Sequence, residues 1–211
     1  MVISLDNFRA GLSWWLDKDN WGRDLINAEY DGIYNDRAEG VTERWWGATV
    51  TRLGQWQAYR GSKPPNSKLE ITKRGLQQLA YLSEEYSRLM SNPMMEPSIA
   101  DQTWEDIVPV FAIAYRIKPS PVFAGKMCHF LFPNLFIVMD NVATSVSNYE
   151  IYWRGMKSAW CSFKDKESLR NALATAIGSG KPIHQRYPFE TKIIELCHIG
   201  LCHPERHPSI S

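Results

Sequence analysis

Apolar side chains in this chain recur at intervals of three and four residues, and no run alternates apolar with polar residues for long enough to build a sheet. Leu76, Leu79, Leu82, Tyr86 and Met90 are the clearest case. At 3.6 residues per turn this spacing lines one face of a helix, and such a face is stable only when buried against another element. The chain therefore reads as all-α, with about eight helices. Its 211 residues suffice for a single helical domain over 1–211, or for two lobes sharing a core.

Punctuation by proline, glycine and capping residues divides the chain further. Residues 5–15 read as an amphipathic helix with Phe8, Leu12 and Trp15 near one face. The acidic, turn-rich stretch 17–40, containing EYDGIYNDRAEG, reads as a loop or short irregular helices. Thr42 is placed to cap a helix over 41–58 that carries Trp45, Trp46, Val50, Leu53 and Trp56. Pro64 and Pro65 make 60–75 a loop and the expected lobe boundary. A helix over 76–90 follows. In 104–117 the residues Val108, Phe111, Ala112 and Tyr115 are spaced for a core face, and Pro109 suits a start near it. KPSP turns the chain into a helix over 121–132 opened by Pro121. Helices are further expected over 141–153, 166–177 and 188–199, the last closed by Gly200.

The charge balance excludes a nucleic-acid tail. The net charge is +1, made of a net −3 over 1–150 and a net +4 over 151–211. That mildly basic end permits contact with phosphates without requiring it. No apolar stretch reaches the length of a membrane span; the longest, 107–117, is broken by Pro109 and Arg116. The first residues lack a basic start and a long apolar run, so a cytoplasmic location is expected. Cys197 and Cys202 sit in CHIGLCHPERH beside His198, His203 and His207. That spacing is not a zinc knuckle, and no second cysteine pair completes it, so buried, reduced cysteines and surface histidines are expected. Nine tryptophans are many for this length. Most belong in a core, but the adjacent pair Trp45 and Trp46 could pack one indole and present the other to a base or sugar.

The stretch PVFAGKMCHFLFPNLFIVMDNVAT, residues 121–144, carries the chemistry. It puts Lys126 on an apolar helix and Asp140 directly behind an apolar segment, and charges in such surroundings are costly unless paired or used. Lys126, with His129 three residues on, reads either as a lysine that snorkels or pairs within the core, or as a phosphate contact or Schiff-base nucleophile. Asp140 reads either as the cap of the next helix or as a catalytic carboxylate at a helix mouth, with Asn141 beside it to position substrate.

This stretch resembles the second half of the helix-hairpin-helix DNA glycosylase signature. In that family a hairpin leads into a helix that starts near a lysine in its lyase members, and an apolar segment ends in the catalytic aspartate. Lys126 within AGKM and Asp140 within IVMDNVA take those places. The resemblance implies an all-helical, two-lobed enzyme that binds double-stranded DNA, flips out a modified base and cuts its N-glycosidic bond. It implies Asp140 and Lys126 as catalytic residues. Lys118 and Arg60 would hold phosphates, Trp45 or Trp46 would stack on the base, and His129 and Asn141 would complete the pocket. No metal or organic cofactor is implied. Hydrolysis alone is preferred over added lyase chemistry, because nothing in the sequence lowers the basicity of Lys126. The breadth of the family extends the expectation to bulky modified bases of invading phage DNA. The alternatives from the residues alone are a non-catalytic helical module that binds DNA or protein, a structural or toxin–antitoxin type protein with no active site, and another nucleic-acid enzyme such as a metal-dependent nuclease. The nuclease would have to gather Glu43, Glu70, Asp106 and Asp140, which no short motif joins.

Overall fold

The computed structural model describes residues 3–17, 23–59, 65–91, 96–140, 146–178 and 183–203, with side chains undescribed at 23–28. Every regular element among them is helical. We number these α1 (Leu5–Leu16), α2 (Arg23–Asp36), α3 (Glu43–Gln55), α4 (Lys68–Leu89), α5 (Trp104–Ile117), α6 (Pro121–Leu131), α7 (Tyr149–Ser162), α8 (Lys166–Gly178) and α9 (Phe189–Cys202). None is long and apolar enough to cross a membrane.

The chain forms two compact units. One contains Met1–Asp31 and Ile137–Ser211; the other is the continuous middle, Gly32–Phe136. The change of unit thus falls at 31/32 and 136/137. The stretch 60–75, expected as a boundary, lies inside the middle unit.

Most helices start where a short polar side chain can accept from the first turn. Ser4 accepts from the Asn7 amide at 3.1 Å, Thr42 from Trp45 at 3.2 Å, and Asn148 from Ile151 at 3.1 Å. Thr103 and Asp106 close a reciprocal capping box on α5, and Ser120 caps α6 just before Pro121. Five expectations are corrected. α9 runs on to Cys202, so Gly200 lies inside it rather than closing it, and α5 starts at Trp104 rather than near Pro109, because Thr103 caps it and Pro109 falls inside the helix. The stretch 17–40 contains a continuous helix, α2, because Tyr30, Ile33, Tyr34 and Arg37 fall at helical spacing and are all buried. The helix expected from 76 starts eight residues earlier, at Lys68, because Ser67 caps it and Ile71 and Gly75 extend its buried stripe. The helix expected over 141–153 is found at Tyr149–Ser162; 141–145 lie outside the described residues.

In the unit holding both termini, α1 packs on α9 and α9 on α8. The α1–α9 crossing is so close that a Cβ on Gly11 would collide with the Leu196 carbonyl, and one on Gly200 with the Asn7 carbonyl. Phe8, Ile193, Ile194 and Leu196 fill the seam. In the middle unit, α3 packs on α4 and α6, and α5 on α4 and α6. Trp45, Trp46, Val50 and Leu53 of α3 meet Ile71 and Leu82 of α4 in its core, together with Ile107, Val110, Ile113, Phe123, Met127 and Phe130. The core face of α5 is Trp104, Ile107, Val110, Ile113, Ala114 and Ile117. This is a different face from the Val108, Phe111, Ala112, Tyr115 stripe that the spacing suggests. Ala112 and Tyr115 are exposed, with Val108 and Phe111 half-buried.

Candidate functional site

Asp140 ends the apolar segment after α6. Leu135, Phe136, Ile137, Val138 and Met139 are all buried, and Asp140 is half-buried. An extended segment cannot satisfy its own carbonyls, so side chains must answer them. Two tyrosines of α7 do. The Tyr149 hydroxyl donates to the Ile137 carbonyl at 2.7 Å, and that of Tyr152 to the Val138 carbonyl at 3.4 Å. Both rings are at most 2% exposed and meet edge to face at 6.0 Å. Burial, with the neighbouring Glu195 carboxylate adding to it, raises the Tyr152 phenol well above its ordinary range, so it remains a donor. The backbone leading to Asp140 is therefore held at two successive carbonyls. The spacing of Tyr149 and Tyr152 reads in sequence as ordinary core aromatics, and only their hydroxyl directions reveal this role.

Lys126 lies in the other unit, on α6. It is 2% exposed, and its ammonium donates to the Trp56 carbonyl at 2.8 Å. Trp56 is the residue on which α3 ends, and Gln57 then leaves the helix at a φ of 52°. Lys118 reaches the next part of the same turn, donating to the Ala58 carbonyl at 3.4 Å over the Phe123 ring at 5.7 Å. Desolvation first, then the charge of Arg74, lowers the basicity of Lys118. The last carbonyls of a helix carry its negative dipole end, so Lys126 closes α3, while Lys118 holds the turn that follows it. His129 joins them: its Nδ1 is 2.7 Å from the Phe136 carbonyl and its ring 6.0 Å from that of Trp56. Lys118, Lys126 and His129 are thus brought together around the end of α3.

The other predicted residues lie elsewhere. Trp45 and Trp46 are 1% and 0% exposed. The Trp46 indole N–H donates to the Thr72 carbonyl at 3.0 Å, and its ring occupies the space a side chain at Gly75 would fill. Neither indole is presented to a base. Arg60 and Asn141 lie outside the described residues.

A buried charge pair escaped the sequence reading. Lys192 and Glu195 of α9 are each 9% exposed and pair at 3.1 Å, with the ammonium 4.3 Å from the centre of the Trp15 ring. The i, i+3 spacing is visible in sequence, but burial of both ends is not. In the same helix Cys197 donates to the Ser4 carbonyl at 3.8 Å, and burial pushes its thiol up to about 12. Cys128 is likewise buried with a raised thiol, and all four cysteines are free; against expectation Cys161 is exposed and Cys202 half-buried, while His198, expected at the surface, is buried against the Tyr152 ring. Among the described residues no three His, Cys, Asp or Glu side chains are gathered as a metal would need; His207 lies outside them.

No family model, curated protein or solved structure matches the chain.

Proposed function

We propose that this protein is a DNA N-glycosylase that hydrolyses the bond between a modified base and its sugar, with Asp140 as the catalytic carboxylate. The observation that carries the reading is the way Asp140 is held. A catalytic anion must keep its place while charge develops on the sugar, and the Tyr149 and Tyr152 hydroxyls hold the carbonyls three and two residues before it, those of Ile137 and Val138. The order of the chain agrees: Asp140 follows within four residues of the change of unit at 136/137.

In this mechanism the modified nucleotide leaves the stack of double-stranded DNA. The C1′–N bond breaks, its electron pair leaves with the base, and the Asp140 carboxylate stabilises the cationic sugar. Water, oriented by the same carboxylate, adds to C1′ and loses a proton; the base gains one. Lys126 closes α3 rather than attacking C1′, so the enzyme is monofunctional. Bulky modified bases of phage DNA are the substrates proposed, and the pathway is then antiviral defence in the cytoplasm. Trp45 and Trp46 have no stacking role in it.

The test incubates wild type and Asp140→Asn with duplexes carrying damaged or phage-type modified bases. Released base is read by mass spectrometry and abasic sites by alkaline cleavage. We expect release by wild type and a fall of about 10²-fold or more in Asp140→Asn. Strand cleavage without alkali, trapped by borohydride and lost in Lys126→Ala, would replace the monofunctional assignment with a lyase. Duplex binding without release of any base would instead favour a non-catalytic helical DNA-binding module.

A further inference from the structure

α5 is apolar on both sides. One side, with Ile107, Val110, Ile113 and Ile117, is in the core. The other carries Pro109, Phe111, Ala112 and Tyr115, and it forms one wall of an open groove of about 600 Å³ whose opposite wall is α4. Apart from Glu105, Asp106 and Arg116 the residues of α5 are apolar or aromatic, and exposed aromatic rings on its second face mark a contact surface. Tyr81 on α4 is 57% exposed and Tyr115 on α5 43%, and the Phe111 ring stacks on that of Tyr115 at 6.4 Å.

The charges in this groove say what the cover is. Glu84 stands on the α4 wall and Arg116 on the α5 wall. Both are exposed, and neither forms an ion pair with another described residue. Glu85 beside them is already paired with Arg88 at 2.8 Å. An unanswered carboxylate among aromatic rings turns away a phosphate backbone, which rules against DNA as the occupant. A surface with one free anion and one free cation flanking an apolar strip is complementary to itself. In a two-fold interface residue i meets j and j meets i, so one such surface answers both charges of its copy at once.

We propose that the α4–α5 groove is a homodimer interface, in which Glu84 of each chain pairs with Arg116 of the other across the Tyr81, Phe111 and Tyr115 rings. Sedimentation velocity on the full chain, from low-micromolar to submillimolar concentration, tests it. The wild-type mass should move from one chain to two. Glu84→Arg and Arg116→Glu should each stay at one chain, since each puts like charges face to face. The double variant Glu84→Arg/Arg116→Glu should recover the dimer, because the swap restores both pairs. Both side chains are exposed, so unchanged melting temperatures verify that the single variants fold. A wild-type mass of one chain at every concentration would overturn the proposal and leave the groove to a different protein partner. A dimer indifferent to both single changes, or single variants that dissociate without recovery in the double, would overturn the reciprocal pairing.

Discussion

A lysine ammonium inside a protein is tolerated when its donors are answered, and Lys126 is answered by the end of a helix. The Trp56 carbonyl stands at the C-cap of α3, and the apolar stem of Lys126 delivers a cation to it through the core. This bears on stability more than on chemistry. Lys126→Met keeps the stem and removes a charged donor from the Trp56 carbonyl, and losing a hydrogen bond to a charged group costs about 1.5–3 kcal/mol. Chemical denaturation should show that loss, while base release per folded molecule stays within a few-fold of wild type. A loss of release exceeding the fraction unfolded would return Lys126 to the reacting atoms. The sequence exposes the anomaly at Lys126, a charge among Phe123, Met127 and Phe130, but not its resolution. Snorkelling, core pairing and catalysis share one pattern, and the choice among them depends on where α3 ends. The same holds for Asp140: its apolar approach is legible, but the tyrosines that hold it become visible only when two hydroxyls meet two carbonyls.

At the scale of elements, legibility follows how local the cause is. Thr42 and Pro121 act within one turn, and they are readable; Pro109 is not a start signal for α5, because the Thr103 cap before Trp104 decides it. The continuity of α2 is not, because its glycine and its acids argue for a turn, while burial of Ile33 and Tyr34 by other elements decides for a helix. The face of α5 that enters the core is unreadable for the same reason: both faces are apolar, and only the neighbours choose between them. Close crossings are the least legible feature. Gly11 and Gly200 lie far apart in sequence, yet each removes a Cβ that would meet the backbone of the other helix. Gly11→Ala forces α1 and α9 apart along a seam of large residues, and neither carbonyl can move alone. Overpacking of this kind costs about 1–3 kcal/mol or more. Thermal melts should show Gly11→Ala well below wild type, whereas Gly47→Ala, where a Cβ meets open space, should match or exceed it. Equal melting of the two variants would mean that the helices yield and that the crossing is not fixed by glycine.

For the molecule as a whole, one unit draws on both ends of the chain, and α9 packs there on both α1 and α8. That helix buries a lysine, a glutamate and a histidine, so the unit should depend on pH. His198 is 6% exposed, edge-on to Tyr152 at 5.0 Å, and desolvation lowers its pKa from 6.5 to about 4. A folded pKa below the unfolded one means that the unfolded chain binds the proton first. Above about pH 6.5 the histidine is neutral in both states and costs nothing. Between about 6.5 and 4 only the unfolded chain gains the proton, so stability falls with pH through that window and levels off below it. The shift corresponds to about 3 kcal/mol at its full extent. A glutamine at this position cannot gain a proton, so the stability of His198→Gln should lack this component. Denaturation of both proteins from pH 7.5 to 4 should therefore show wild type losing stability relative to the variant, by up to about 3 kcal/mol. A difference between them that stays constant across the window would mean that His198 takes up its proton equally readily in the folded chain, and that α9 tolerates the charge.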